Sequence, residues 1–159
     1  MIDIHSKGTY PSDALSNFAA YEFVVDGILC ASMEGFLQSL KFMRMSKQKQ
    51  VCRLVGKGAK NAPGRLQNLR WKLTQTLYWN GVRYKRDSAE YQKLIAIAYD
   101  ALYENTDFKA ALESTQNEKL CHSIGGQNPR KTVLTEAEFI KQLYRLRSKL
   151  HTEGAQDET

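Results

Sequence analysis

"CASMEGFLQSLKF", residues 30–42, decides how this 159-residue chain is read. Phe36, Leu37, Leu40 and Met43 recur at helical spacing. They predict a helix over about Met33–Met45 with these four on its buried stripe. Glu34, Gln38 and Lys41 fall at i, i+4 and i+7, stacking a carboxylate, an amide and an ammonium on another stripe. Such a stripe is ordinarily a solvated helix face. Two features favour one wall of a site. Glu34 lies in the first turn after a strand, where helix N-terminal amides and a carboxylate share a cleft. Gly35 follows it, although glycine within a helix costs roughly 1 kcal/mol relative to alanine; lacking a side chain, it lets a ligand or another backbone approach that turn.

The flanking segments predict the rest of the fold. "YEFVVDGILCAS" (21–32) reads as a hairpin turning at Asp26-Gly27, and "LYWNGVRY" (77–84) as a second turning at Asn80-Gly81. Helices are expected over Lys47–Val55 and Arg65–Thr76, with "GKGAKNAPG" (56–64) between them as a loop or short broken helix. In "RDSAEYQKLIAIAYDALYEN" (86–105) Asp87 is the expected cap, closed by Glu90, with Leu94, Ile95, Ala98, Ala101 and Leu102 inward. "NTDFKAALEST" is a shorter helix, and "KLCHSIGG" (119–126) a strand entering a glycine turn. "TEAEFIKQLYRLRSKL" (135–150) opens with a Thr135–Glu138 capping box and turns Phe139, Ile140, Leu143, Leu146 and Leu150 inward. The sum is α+β: one mainly helical domain over 1–151 with small antiparallel hairpins, and a disordered tail at 152–159.

Composition limits the function classes. With 42% hydrophobic and 25% charged residues the chain reads as soluble and globular, and no apolar run approaches the ~20 residues of a membrane span. The first residues lack the pattern of a secretory signal. Cys30, Cys52 and Cys121 form no C-x-x-C pair, and a reduced, cytoplasmic setting is expected. With His5, His122 and His151 the only histidines and no H-E-x-x-H, no metal site is expected.

The net charge of +6 is unevenly spread. Residues 41–86 hold thirteen of the 23 Lys/Arg, among them Lys57, Lys60 and Arg65, and none of the 17 acids. A segment so one-signed repels itself unless its field serves a partner, and phosphates are the natural one. Charge alone does not say whether they belong to a nucleotide or a polynucleotide; a merely solubilising surface is the less favoured alternative, since acid-free stretches this long are less common than basic patches.

Three further stretches carry polar chemistry. In "YPSDALSNFAAYEF" (10–23), Ser16, Asn17 and Phe18 place polar groups and a ring on a turn; on their own they read as an Asx-turn and a core phenylalanine. "HSIGGQNPRKT" (122–132) offers His122, Ser123, a glycine turn at Gly125 whose amides suit a phosphate, and Arg130 with Lys131. It matches neither the P-loop nor the Rossmann fingerprint, and a lone histidine is more often structural than a base. Trp79 reads as core or core edge, with base stacking as its other use.

Taken in order, "LSNFAAYEFVVDGILCASMEGFLQSLKF", "GKGAKNAPGR", the "YWNGVRY…YEN" segment, "LCHSIGG" and "TVLTEAEF" resemble the NADAR family, whose opening motif runs from an S-N-F loop to a helix carrying E-x-x-x-Q-x-x-K-F. The likeness spans about Tyr10–Arg147. It implies an α+β, NADAR-like fold and N-glycosidase activity on ADP-ribose conjugates or related ribosyl compounds, such as ADP-ribosylated guanine, with no cofactor. By matched position it implies Glu34 as the catalytic carboxylate, with Lys41 a candidate proton donor. Ser16, Asn17, Phe18, Gln38, Lys60, Arg65 and Trp79 would line or support the pocket, joined by His122, Ser123 and Gly125 from the glycine turn. This chain departs from many members in reading E-G where they read E-H, and in carrying "HSIGGQNPRKT" where they carry D-x-x-W-G.

That chemistry suits these residue types. Breaking a ribosyl N-glycosidic bond builds an oxocarbenium-like centre at C1, which a carboxylate stabilises while activating water. A Glu beside a Lys is expected to stay ionised, and Lys41 or a group near His122 would protonate the departing base. Two alternatives remain: a noncatalytic module binding ADP-ribose-type or NAD-type nucleotides, and a basic nucleic-acid-binding domain. The hydrolase and the module both merge with the last if the substrate is a modified base within a nucleic acid.

Overall fold

A computed structural model describes residues 1–158. Three two-stranded pieces are set among eight helices of the described chain. β2 (Phe23–Val25) and β3 (Ile28–Cys30) form the first hairpin, and β4 (Thr76–Trp79) and β5 (Val82–Lys85) the second. Both turns use left-handed residues, Asp26 (φ 50°) with Gly27 (φ 75°) and Asn80 (φ 48°) with Gly81 (φ 85°). This backbone twist matches that of the strands it joins. The third piece is parallel: β1 (Ile2–Asp3) runs beside β6 (Leu120–Cys121), tying the start of the chain to the segment after α7. Sequence reasoning expected only antiparallel pairs, because two-residue strands carry no period.

After a one-turn helix α1 (Ser12–Leu15), the decisive stretch becomes α2 (Met33–Ser39), much shorter than expected. Its end is set by capture of the carbonyls that follow it. The Leu40 carbonyl accepts from Tyr78 N–H at 2.8 Å, and Gln48 Nε2 donates to the carbonyls of Phe42 and Tyr78 at 2.8 and 2.7 Å. The chain therefore turns away at Lys41–Arg44, and Met43, expected inside, is exposed. α3 (Met45–Cys52), α4 (Gly56–Asn61) and α5 (Gly64–Thr74) follow.

The long helix α6 (Ala89–Tyr103) is capped by Ser88, whose hydroxyl accepts from Tyr91 N–H, rather than by Asp87. α7 (Thr106–Ser114) follows, and α8 (Glu136–Asp157) opens with the expected Thr135–Glu138 box. α8 runs through residues 152–157, where a disordered tail was expected. No proline interrupts it, and Tyr103 O–H holds Glu153 Oε2 at 2.5 Å; Thr159 lies outside the described residues. The core packs Phe36, Trp79, Tyr91, Tyr99, Phe108 and Phe139 between α2, α6, α7 and α8. No helix among the described residues is long and apolar enough to cross a membrane.

Candidate active site

One cleft of about 470 Å³ opens where the N-terminal loops, α2, α4 and the 122–139 segment meet. That volume suits a small-molecule ligand. Of the residues the sequence singled out, Ser16, Asn17, Phe18, Glu34, Gln38, Lys60, His122 and Gly125 line it. The S-N-F loop is fastened to the helix start, since the Asn17 carbonyl accepts from Glu34 N–H at 3.0 Å. Asn17 makes no Asx-turn, because its side-chain oxygen accepts from buried Tyr99 O–H at 2.7 Å. Ser16 supplies the turn instead, accepting from Phe18 N–H at 3.2 Å, and Phe18 lies half-buried on the cleft rather than in the core.

Glu34 and Gln38 form the polar part of the α2 wall. Gln38 Nε2 donates to Glu34 Oε1 at 2.8 Å, while the other Glu34 oxygen takes no hydrogen bond among the described residues. Gln38 is 8% exposed, and its own Oε1 is buried without a partner. Burial pushes the Glu34 carboxyl above its usual range, only partly opposed by the Gln38 hydrogen bond and the charges of Lys41, Lys60 and His122. The lysines alone would lower this carboxyl; desolvation outweighs them.

Gly35 serves another backbone, not a ligand. A Cβ there would meet the carbonyl oxygens of Leu54 at 2.7 Å and Cys52 at 2.9 Å. The N-terminal turn of α2 rests on the end of α3, a contact reinforced by Ser32 O–H donating to the Leu54 carbonyl at 2.8 Å.

Four of the expected site residues lie off the cleft. Lys41 turns to α5, where its ammonium donates to Asn68 Oδ1 at 2.7 Å and lies over Trp71. Trp79 is core: its indole N–H donates to Asp26 Oδ2 at 2.7 Å, and its ring meets Phe36 edge-on at 4.8 Å. The alternation of β4 turns it inward, leaving no face for a base. Arg65 is exposed on α5. Ser123 is taken by Asp3, which accepts from both its N–H and its hydroxyl. The glycine turn also differs from expectation, since Gly125 N–H is spent on the His122 carbonyl at 2.9 Å.

The cleft contains residues that sequence reasoning passed over as site residues. Lys57, whose only signal was its place in the acid-free segment, lines it one turn before Lys60. Phe139, read as a core residue, also reaches it. The described residues contain no cluster of three or more His, Cys, Asp or Glu able to hold a metal.

Comparison with known proteins agrees with this architecture. The solution structure of the Escherichia coli protein YbiA is similar at a TM-score of 0.62 and 19% identity, over 98% of this chain and 89% of that one. The fold is accordingly NADAR-like. An uncharacterized 17.1 kDa protein from the Gp30–rIII intergenic region of Enterobacteria phage T4 is 40% identical over 151 residues, covering 94% of this chain and 98% of that protein. A family model described as bacteriophage protein GP30.3 matches residues 9–148. With most of its length matched, the chain belongs to the bacteriophage GP30.3 family.

Proposed function

We propose that this protein is an N-glycoside hydrolase acting on an ADP-ribosyl or related ribosyl-phosphate substrate, for example releasing ADP-ribose from a modified guanine, with Glu34 as the catalytic carboxylate. One observation carries the reading: a desolvated carboxylate on the wall of a ligand-sized cleft, beside a buried amide oxygen that lacks a donor. Burial raises the basicity of Glu34, and its unbonded oxygen is free to take a proton from water or face a cationic C1. A ribose hydroxyl would supply the donor that Gln38 Oε1 lacks. Lys57 and Lys60 on the same cleft suit phosphates. The exposed basic residues of α3 to α5 leave room for a substrate base carried within a nucleic acid. The free thiols Cys30, Cys52 and Cys121 support a cytoplasmic setting.

The test is incubation with ADP-ribosylated guanine (as nucleotide and in DNA), NAD, ADP-ribose derivatives and ribosylaminopyrimidine phosphates, read by mass spectrometry. The hydrolase reading expects free base from at least one, abolished in Glu34→Gln. Binding without turnover in both proteins replaces it with a nucleotide-binding module.

A further inference from the structure

We infer that His122 is the general acid that protonates the departing base, an assignment that rests on the hydrolase reading of the same cleft. The argument begins with the short parallel pairing of β1 with β6. Ile4 follows β1 and His122 follows β6; the Ile4 N–H donates to the Cys121 carbonyl at 2.8 Å. This register lays the His122 ring against the Ile4 carbonyl, with Nδ1 and oxygen 2.6 Å apart. A carbonyl oxygen only accepts, so Nδ1 carries a hydrogen in either charge state of the ring. Nε2 has no hydrogen-bond partner among the described residues, and His122 lines the cleft with Glu34. Nε2 is therefore the one ring nitrogen left for a ligand.

The ring is also held in place. Phe139 meets it edge-on at 5.2 Å and 85°, and His122 N–H donates to Glu136 Oε1 at 3.2 Å. Gly125 closes over it: a Cβ at that position would stand 2.5 Å from His122 Cδ2, so only glycine lets the turn pack on the ring. A histidine with one nitrogen fixed to a carbonyl and the other open to the cleft is built for directed proton transfer.

The step balances as follows. Water bonds to C1 through its oxygen and passes one proton to the Glu34 carboxylate. The C1–N bond breaks with its electron pair going to the base nitrogen, which takes the Nε2 proton of the His122 imidazolium. Exchange of one proton through solvent, from Glu34 to His122, restores both groups. The charged groups that face this exchange are Glu34 on α2, Lys57 and Lys60 on α4, Lys7 in the first loop and Glu136 at the start of α8.

The test uses two leaving groups. Guanine departing from an ADP-ribosyl adduct needs a proton, whereas nicotinamide departs from NAD already neutral. In His122→Gln and His122→Asn, release of guanine should fall by about 10² or more, the ordinary contribution of general acid catalysis. Release of nicotinamide should change less than about threefold. Equal losses on both substrates, or loss on neither, overturn the assignment while leaving the hydrolase reading intact. A parent that releases neither base overturns both. Nitrogen NMR of the parent adds a readout independent of turnover: hydrogen on Nδ1 of the neutral ring is expected, and hydrogen on Nε2 overturns the assignment whatever the activity.

Discussion

Gln38 stands one helical turn after Glu34 and gives its amide hydrogen to Glu34 Oε1 at 2.8 Å, leaving its own oxygen buried and unpaired. The pair is costly to the folded chain, since a desolvated carboxylate and an unsatisfied amide oxygen both destabilise it. Such expense on a cleft wall is characteristic of a site shaped for a ligand rather than for stability.

Glu34→Gln should therefore cost activity and add stability. Turnover is expected to fall by about 10² or more with ligand binding retained. Because burial raises the folded-state pKa of Glu34, its contribution to stability is fully present below the unfolded pKa and lost as pH rises through the folded one. The variant should match the parent in acid and melt higher by a few degrees at neutral pH. Thermal scans at a series of pH values check this; a lower midpoint at neutral pH contradicts it.

Gly35→Ala tests the contact between α2 and α3. The new Cβ would face backbone oxygens at 2.7 and 2.9 Å, which cannot yield as a flexible side chain can. A loss of about 1–3 kcal/mol is expected in denaturant unfolding, the usual cost of overpacking. Gly35→His, the residue many NADAR members carry, should be worse still. Unchanged stability in the alanine variant would show that α3 shifts freely.

Arg86 carries the second hairpin's attachment to α8. It is 2% exposed, and its guanidinium grips Glu138 at 2.6 and 3.1 Å and donates to the Thr132 carbonyl. Burial would raise the Glu138 carboxyl, but hydrogen bonds from Arg86, the Thr135 backbone and Gln92 overcome it and hold the group below its usual range. Glu138→Gln should cost about 3–5 kcal/mol at neutral pH, because it leaves a buried guanidinium unpaired. With a depressed folded pKa, this stabilisation is present above the unfolded pKa and lost as pH falls through the folded value. The gap between parent and variant should accordingly close in acid. A gap independent of pH would argue against the ion pair.

Local signals were legible in the sequence and distant ones were not. Asp26-Gly27, Asn80-Gly81 and the Thr135–Glu138 box declare themselves within four residues, because turn geometry and capping are set locally. The halt of α2 at Ser39 depends on Tyr78 and Gln48, so its apolar period ran on misleadingly to Met43. Glu138 looked like a helix cap alone, while its larger partner, Arg86, lies 52 residues away. In the candidate site, the spacing of Glu34 and Gln38 reads as an ordinary solvated face, and only their place after a strand and the family resemblance pointed to a site wall. The hold on His122 was not legible, since the Ile4 carbonyl that orients it lies 118 residues back and exposes no side-chain signal.

Lys41 supplies the last test, because its place in the motif and its place in space disagree. Burial lowers its pKa to about 8, opposed by the charge of Glu34 and aided by that of Lys72. A lysine whose folded pKa lies below its unfolded value, near 10.4, destabilises the fold while charged. The penalty is complete below about pH 8 and is relieved as pH rises toward the unfolded pKa. Lys41→Met keeps the stem that packs beside Trp71 and removes the charge, so it should melt higher than the parent at pH 7 and lose that advantage near pH 10. Its charge also helps keep Glu34 ionised, so the acid limb of the rate profile should move to higher pH in the variant. Direct proton donation by Lys41 predicts something different: a collapse of turnover at every pH with the limb unmoved. Rate–pH profiles of parent and Lys41→Met therefore separate a neighbour that tunes Glu34 from a group that touches the substrate.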